Sequence, residues 1–191
     1  MFTAKDFKTL YAQTITRPGS EKLLQWLEST DFFTAPASTR FHSSCEGGLV
    51  HHSLSVYNRL NMLLDTVPGA PQLSPESMAI CALLHDVCKA NFYSVEMRNR
   101  KNEQGRWEKY PFYIVDEKFV YGHGDKSVFL IERFMRLTVE EAVAIRFHMG
   151  PYDDSTRSAY ANAMEKYPLV FYLHSADMMA SHWDEAEPDA E

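Results

Sequence analysis

The chain has 191 residues, of which 45% are hydrophobic and 24% are charged, and its formal net charge is −7. That length fits one compact domain, and the content of apolar and aromatic residues excludes a wholly disordered chain. The last eight residues carry five acids and no base, which leaves a net charge of only −2 for the rest of the chain and argues against a nucleic-acid partner.

The cellular compartment is indicated by what the sequence lacks. No stretch is apolar over the roughly 20 residues that a membrane-spanning helix needs, and the first residues lack the apolar core of a signal peptide. The cysteines, Cys45, Cys81 and Cys88, are odd in number and form no Cys-x-x-Cys pair, which favours reduced thiols over disulfides or a zinc cage. We therefore expect a cytoplasmic protein with no membrane partner.

Two short helices are predicted at the N-terminus. Thr3 and Asp6 have the spacing of a capping box, and apolar residues follow them at helical intervals. Pro18-Gly19-Ser20 ends this first helix and begins a second one, which we expect to run to about Leu27.

Two further helices follow an extended stretch over residues 31–46. Gly47-Gly48 leads into a long helix that is expected to end near Val67. Ser74-Pro75 combines an N-cap residue with proline at the first helical position, so a helix from there to about Lys89 is predicted.

One segment departs from the helical pattern. Residues 92–115 are rich in Tyr, Phe, Val and Trp, and Asn102-Glu103-Gln104-Gly105 lies in their middle. Strand-forming residues on both sides of a turn sequence predict a β-hairpin, inserted here between helices.

The C-terminal part returns to helices. One is expected over about 125–136, and Thr138 with Glu141 forms a second capping box, for a helix that Gly150-Pro151 ends. A last helix is expected over about 168–183. The sequence thus predicts a single all-α domain over 1–183 with a small β-hairpin insertion, followed by an acidic, disordered tail at 184–191.

His52 is the first residue that indicates a function. On the long helix it lies on the same apolar stripe as Leu49, Val56 and Leu60. A histidine that faces inward among aliphatic side chains needs a partner, either a metal ion or a hydrogen-bond acceptor. The neighbouring His51 lies on the polar face and is expected to be a bystander.

His85 and Asp86 follow the apolar stripe of the next predicted helix. An unpaired carboxylate would be costly there. Because adjacent helical side chains diverge by about 100°, both can hold metal only if the ion lies between them or Asp86 bridges two ions. Lys89 stands at i+4 and i+3 from them, so it is expected to project over the same site. A hydrogen-bonded network with a surface lysine is the alternative.

Three short motifs that contain histidine or aspartate occur in order along these elements. They are Gly-Gly-Leu-Val-His-His-Ser-Leu at 47–54, His-Asp-Val-Cys-Lys at 85–89 and Ser-Ala-Asp-Met-Met-Ala-Ser at 175–181. Together they resemble the HD-domain superfamily of metal-dependent phosphohydrolases. Cys88 departs from the family pattern, which prefers glycine at that position.

The resemblance implies a helical-bundle fold and a set of metal ligands. Two additional histidines, His123 and His148, make the chain similar to the two-metal subgroup of the superfamily. Imidazole and carboxylate ligands suit two divalent ions of iron, manganese, cobalt or zinc. The implied ligands are His52, His85, Asp86 and Asp177 for the first ion, and Asp86, His123 and His148 for the second.

The resemblance also implies an activity. It is hydrolysis of a phosphoester or phosphoanhydride bond by metal-activated water, with a small nucleotide as the substrate. Asp86 and Lys89 are the expected catalytic residues, and Lys89 is expected to contact the substrate phosphate. Arg40 and His42, in the extended stretch before Gly47-Gly48, could reach a substrate phosphate or base.

Other functions stay open at this point. Some two-metal members of the superfamily are di-iron oxygenases with a similar ligand set, and Lys89 favours hydrolysis without excluding oxidation. A metal-binding sensor without turnover is a third possibility. An exonuclease is disfavoured because the body of the chain is nearly neutral. The oligomeric state is not indicated by the sequence.

Overall fold

The computed structural model describes residues 1–151 and 154–185, which form a helical domain with one hairpin. A 3₁₀ turn, Val87–Lys89, follows the fourth helix, and a π turn, Ala180–Asp184, follows the last. The predicted fold class, all-α with a small β insertion, is confirmed. The elements are α1 (Ala4–Thr14), α2 (Ser20–Glu28), α3 (Gly48–Thr66), α4 (Pro75–Leu84), β1 (Tyr93–Lys101), β2 (Trp107–Val115), α5 (His123–Glu132), α6 (Val139–Arg146), α7 (Asp154–Lys166) and α8 (Leu169–Met179).

The long helix α3 is central to the packing. It packs against both α4 and α8, while α6 packs on α8 and α5 packs on α6. Leu49, Val56 and Leu60 of α3 are fully buried, as the predicted apolar stripe requires. His52 lies among them with 1% of its surface exposed, whereas His51 is only half-buried and accepts a hydrogen bond from the backbone of Phe2.

Both predicted capping boxes are present. Thr3 accepts a hydrogen bond from the Asp6 backbone while the Asp6 carboxylate accepts from the Thr3 backbone, and Thr138 and Glu141 repeat this arrangement at the start of α6. Glu141 is also buried and paired with both terminal nitrogens of Arg17. The second capping box therefore also ties α6 to the loop before α2.

The predicted hairpin is also observed. β1 and β2 pair antiparallel with Tyr93 opposite Val115 and Lys101 opposite Trp107. The turn between them has Gly105 at φ +75°, a left-handed conformation that favours glycine. Trp107 is 70% exposed and packs against the Lys101 ammonium rather than against the core.

Helix α4 ends five residues earlier than the sequence predicts, at Leu84. Asp86 has φ −108° and ψ 19°, outside the helical region, and the chain then makes the 3₁₀ turn. In a continuous helix His85 and Asp86 would point about 100° apart. The break allows both side chains to point at one place, and the contacts of the Asp86 carboxylate there outweigh one further turn of helix.

The C-terminal third differs from the prediction in three places. Helix α5 begins at His123 rather than near 125, and α7 was not predicted because it is mostly polar, with only Tyr160 and Ala163 of its described side chains buried. Asp184 ends the π turn and Glu185 is buried, so the first two residues of the predicted acidic tail belong to the fold. Residues 186–191 of that tail lie outside the described residues. Within the described part of the chain, no helix is both long and apolar enough to cross a membrane.

Candidate metal centre

The six predicted metal ligands come from separate elements and meet in the interior. His52 is on α3, His123 is the first residue of α5 and Asp177 is on α8. The other three follow the ends of α4 and α6. Five of the six are buried, and His123 is partly exposed. The six residues are His52, His85, Asp86, His123, His148 and Asp177.

A glycine beside His123 makes this convergence possible. A Cβ atom on Gly124 would lie 2.1 Å from the carbonyl oxygen of Arg146, closer than any side chain tolerates. Only glycine therefore lets the start of α5 lie against the end of α6. This close approach brings the rings of His123 and His148 to within 5.2 Å of each other, centroid to centroid.

The Asp86 carboxylate is the centre of the cluster, and its two oxygens face different histidines. Oδ1 lies 2.7 Å from His123 Nε2 and 3.4 Å from His148 Nε2. Oδ2 lies 3.5 Å from His85 Nε2 and 3.7 Å from His52 Nε2. One carboxylate thus stands between two pairs of imidazoles.

Asp177 completes the first pair. Its Oδ1 lies 3.1 Å from His52 Nε2, and His52 Nε2 lies 3.3 Å from His85 Nε2. Two imidazole nitrogens and carboxylate oxygens at these separations surround a space where positive charge is favoured.

The tautomers of two histidines follow from their outer hydrogen bonds. His85 Nδ1 lies 2.9 Å from the carbonyl oxygen of Ala82, and His148 Nδ1 lies 2.6 Å from that of Ile145. A carbonyl oxygen only accepts, so each Nδ1 carries a proton, and the neutral form of either ring would present the lone pair of Nε2 to the cluster. His148 Nε2 is buried and has no hydrogen-bond partner within the described residues. A buried acceptor without a donor is what a metal ligand looks like without its ion.

The electrostatics of the cluster favour cations. Burial would raise the pKa of Asp86, but Lys89 and His85 hold it well below its ordinary value. Burial would lower the pKa of His52, but its hydrogen bonds to Asp177 and Glu185 raise it to about 10. The pKa of His123 is raised to about 9 against the effect of burial by Cys88 and Asp86. In the absence of metal, protons on imidazoles supply positive charge here.

Lys89 lies at the edge of the cluster, as expected, though by a different backbone path. The 3₁₀ turn places residues i and i+3 on the same side, so Lys89 Nζ lies 2.7 Å from Asp86 Oδ2. The side chain is mostly buried, and the carboxylate raises the pKa of its ammonium against the effect of burial. Beside it is a cavity of about 160 Å³, which is lined by Lys89, Phe92, Tyr121, His123 and Lys126, among others.

The two other predicted substrate contacts differ in position. The His42 ring lies 5.0 Å from the His52 ring, and its Nε2 is buried without a hydrogen-bond partner in the described part of the chain. Burial and the charges of His52 and Lys89 lower the pKa of His42 to about 4, so its imidazole is neutral. Arg40 is exposed and its guanidinium lies over the Phe41 ring. The structure therefore brings His42 to the cluster, and substrate contact by Arg40 stays a prediction.

Two residues next to the cluster were not foreseen as partners of the histidines. Glu185 Oε1 lies 3.0 Å from His52 Nδ1, and the sequence offered no signal for it within a run of acids. Cys88 Sγ lies 3.4 Å from His123 Nδ1. For Cys88 the sequence did offer a signal, because the family pattern prefers glycine at that position.

Comparison with known proteins bears on the origin of this cluster. The family model described as "HD domain" matches residues 49–181, a range that holds all six predicted ligands and Lys89. No curated protein and no solved structure matches the chain. Since the match covers more than half of the sequence, the chain belongs to the HD-domain superfamily, whose members are typically metal-dependent hydrolases.

Proposed function

We propose that the protein is a metal-dependent phosphohydrolase that cleaves a phosphoester or phosphoanhydride bond in a small nucleotide. One observation carries the proposal: four imidazoles surround a buried carboxylate that turns one oxygen to each pair of them, with an ammonium group at the edge. Membership of the HD-domain superfamily supports the same reaction class.

The donor atoms fit divalent transition metals. Three groups of side chains each have donor atoms within 4.8 Å of one another, and the donors are imidazole nitrogens, carboxylate oxygens and one thiol. The groups share members and are His52 with His85 and Asp177, His85 with Asp86 and His148, and Asp86 with Cys88 and His123. Such donors suit iron, manganese, cobalt or zinc. In the two-ion arrangement that we propose, His52, His85, Asp86 and Asp177 hold one ion, and Asp86, His123 and His148 hold the other.

Besides the metal ligands, Lys89 and His42 would contact the substrate. Bound ions would lower the pKa of water and offset the charge of a phosphoryl group. Lys89 donates one hydrogen bond to Asp86 and has further N–H donors for a phosphate oxygen. No described residue bonds to Nε2 of the neutral His42 imidazole, which would leave this nitrogen for a hydrogen bond to the substrate. The low exposure of Asp86 and Lys89 keeps bulk water from screening these contacts.

The proposal includes a partner and a location. The substrate is a small phosphorylated molecule rather than a nucleic acid, because the body of the chain lacks a basic surface charge. A cytoplasmic location is supported by the buried thiols of Cys81 and Cys88, neither of which forms a disulfide. An oxygenase is the second candidate, since the same imidazole and carboxylate donors suit iron.

A substrate screen with and without oxygen separates these functions. Protein purified without chelators should release phosphate, pyrophosphate or triphosphate from free nucleotides, at the same rate in anaerobic buffer, and should leave labelled oligonucleotides largely intact at physiological salt. Turnover that requires oxygen would favour the oxygenase. Degradation of oligonucleotides with free nucleotides untouched would favour an exonuclease.

Metal binding is expected to release protons. In the metal-free protein the pKa of His52 is about 10 and that of His123 is about 9, so both imidazoles are charged at neutral pH. An ion needs the neutral imidazole and must displace these protons. The apparent metal affinity should therefore rise as the pH is raised toward 9 to 10 and fall as it is lowered.

Calorimetry in buffers of different protonation enthalpy counts the released protons. The His51→Gln variant is the matched control, because it removes the neighbouring histidine from outside the cluster and should release as many protons as the wild type. Metal binding without proton release would contradict the assignment of these two histidines as ligands.

A further inference from the structure

We propose that Glu185 is a positioning residue of the metal centre, which acts by accepting a hydrogen bond from Nδ1–H of His52 and so holding His52 Nε2 toward Asp177. The inference rests on the metal centre of the proposed function. Glu185 and its hydrogen-bond partner Ser43 both lie outside residues 49–181, the range of the family match.

The Glu185 carboxylate is fully enclosed by specific contacts. Oε1 lies 3.0 Å from His52 Nδ1, and Oε2 accepts a hydrogen bond of 2.6 Å from Ser43 Oγ. The side chain of Glu185 has 0% exposure. A buried carboxylate is retained only where it is paired and hydrogen-bonded, and here one of its two oxygens is committed to a predicted metal ligand.

His52 differs from the other buried histidines in this partner. His85 and His148 are each held by a carbonyl oxygen three residues earlier in their own turn. The Nδ1 of His52 has a carboxylate partner instead, from a residue 133 positions away. A carboxylate behind a metal-binding imidazole fixes its tautomer and ring orientation and raises its basicity as a ligand.

The segment between Asp177 and Glu185 positions this carboxylate beside His52. After Asp177 the helix α8 passes into the π turn, and the Glu185 backbone donates to the carbonyl of Ala180. Asp184 pairs with the guanidinium of Arg59 on α3 through two hydrogen bonds, one of them 2.7 Å between Arg59 Nε and Oδ2. The segment that carries the ligand Asp177 thus returns to contact His52 from its other side.

Direct metal ligation by Glu185 is the competing interpretation. Donor atoms of His42, His52 and Glu185 lie within 4.8 Å of one another. However, Nε2 of His52 faces Asp177 while Nδ1 faces Glu185. An ion at Glu185 would need the second nitrogen of a ring whose first nitrogen already faces the cluster, so the geometry favours the outer position.

The test compares metal affinity in three variants by competition of Mn²⁺ or Zn²⁺ with a chromophoric chelator. Glu185→Ala should bind metal roughly 10–100-fold more weakly than the wild type, the usual cost of losing such an outer partner. Glu185→Gln keeps an oxygen acceptor for Nδ1 and should recover part of that loss. Glu165→Gln is the matched control, since it makes the same change at an exposed position of α7 and should leave affinity unchanged within about twofold.

A second measurement does not depend on affinity. In wild type loaded with Zn²⁺, which is diamagnetic, ¹⁵N NMR of labelled histidine should show His52 with its proton on Nδ1. In Glu185→Ala that resonance should shift and its proton should exchange faster with water. The melting temperature of each metal-free variant shows whether the fold persists, and Glu185→Gln serves if the alanine variant does not fold.

The outcomes separate this inference from the proposed function. Wild-type affinity and an unchanged His52 resonance in Glu185→Ala and Glu185→Gln would overturn the positioning role. Loss of one ion, with wild-type affinity for the other ion, would show that Glu185 ligates metal directly and would equally overturn the positioning role. Failure of the wild type to bind any metal would instead remove the proposed function.

Discussion

Replacing Asp86 by asparagine or alanine is expected to remove both metal ions and with them all measurable hydrolysis. The reason is geometric: Oδ1 faces His123 and His148 while Oδ2 faces His52 and His85. The loss of phosphate release should exceed the roughly 10²–10³-fold that removal of one transition-state contact costs, because each ion loses a ligand. Elemental analysis and phosphate release measure the two effects separately.

Folding has to be controlled in this experiment. Without the Asp86 carboxylate, the nearby Lys89 ammonium is left buried and unpaired, which is destabilising. Asparagine preserves the shape of the side chain, and the melting temperature of the variant shows whether the fold persists. Asp65→Asn, on the exposed face of α3, is the matched control and should keep wild-type metal content. A folded Asp86→Asn protein with its full metal content would contradict the two-ion arrangement.

Removing the charge of Lys89 is expected to reduce turnover without removing the metals. In Lys89→Met the stem of the side chain is kept while the ammonium beside Asp86 is lost. If that ammonium contacts a phosphoryl oxygen in the transition state, phosphate release should fall roughly 10²–10³-fold, about 2.7–4 kcal/mol of stabilisation. Steady-state kinetics with the best nucleotide from the screen, together with metal analysis, test this.

A purely structural role for Lys89, through its ion pair with Asp86, is the alternative. In that case Lys89→Met would lower the melting temperature and the metal content, and any activity that remained would scale with the bound metal. The control is Lys101→Met, an exposed lysine of the hairpin, which should match the wild type in both measurements. Full phosphate release by Lys89→Met at normal metal content would exclude the contact with substrate.

Much of the helical framework could be predicted from the sequence because its signals are local. The capping boxes at Thr3 and Thr138 are hydrogen bonds between residues three apart, and both are present. The inward face of His52 followed from the apolar residues around it on one helix. Helix α7 lacked such a signal, since most of its surface is polar and tertiary packing decides that it forms.

The end of α4 shows where local reasoning fails. Helical spacing carried the predicted helix through His85 and Asp86 to Lys89, whereas the chain leaves the helix after Leu84. The contacts that decide this break come from His123 and His148, which are remote in sequence. A window of a few residues contains no information about them.

By itself, the sequence determined the helical class of the fold and the hairpin, and its resemblance to the HD-domain superfamily implied six side chains as metal ligands. The tertiary structure brings those six together, and metal binding by them stays a prediction. Only the tertiary structure decided which oxygen of Asp86 faces which histidine and that Glu185 stands behind His52. The physical reason is range: capping and amphipathic spacing act over a few residues, whereas the contact between His52 and Glu185 joins residues 133 positions apart and depends on the packing of the helices between them.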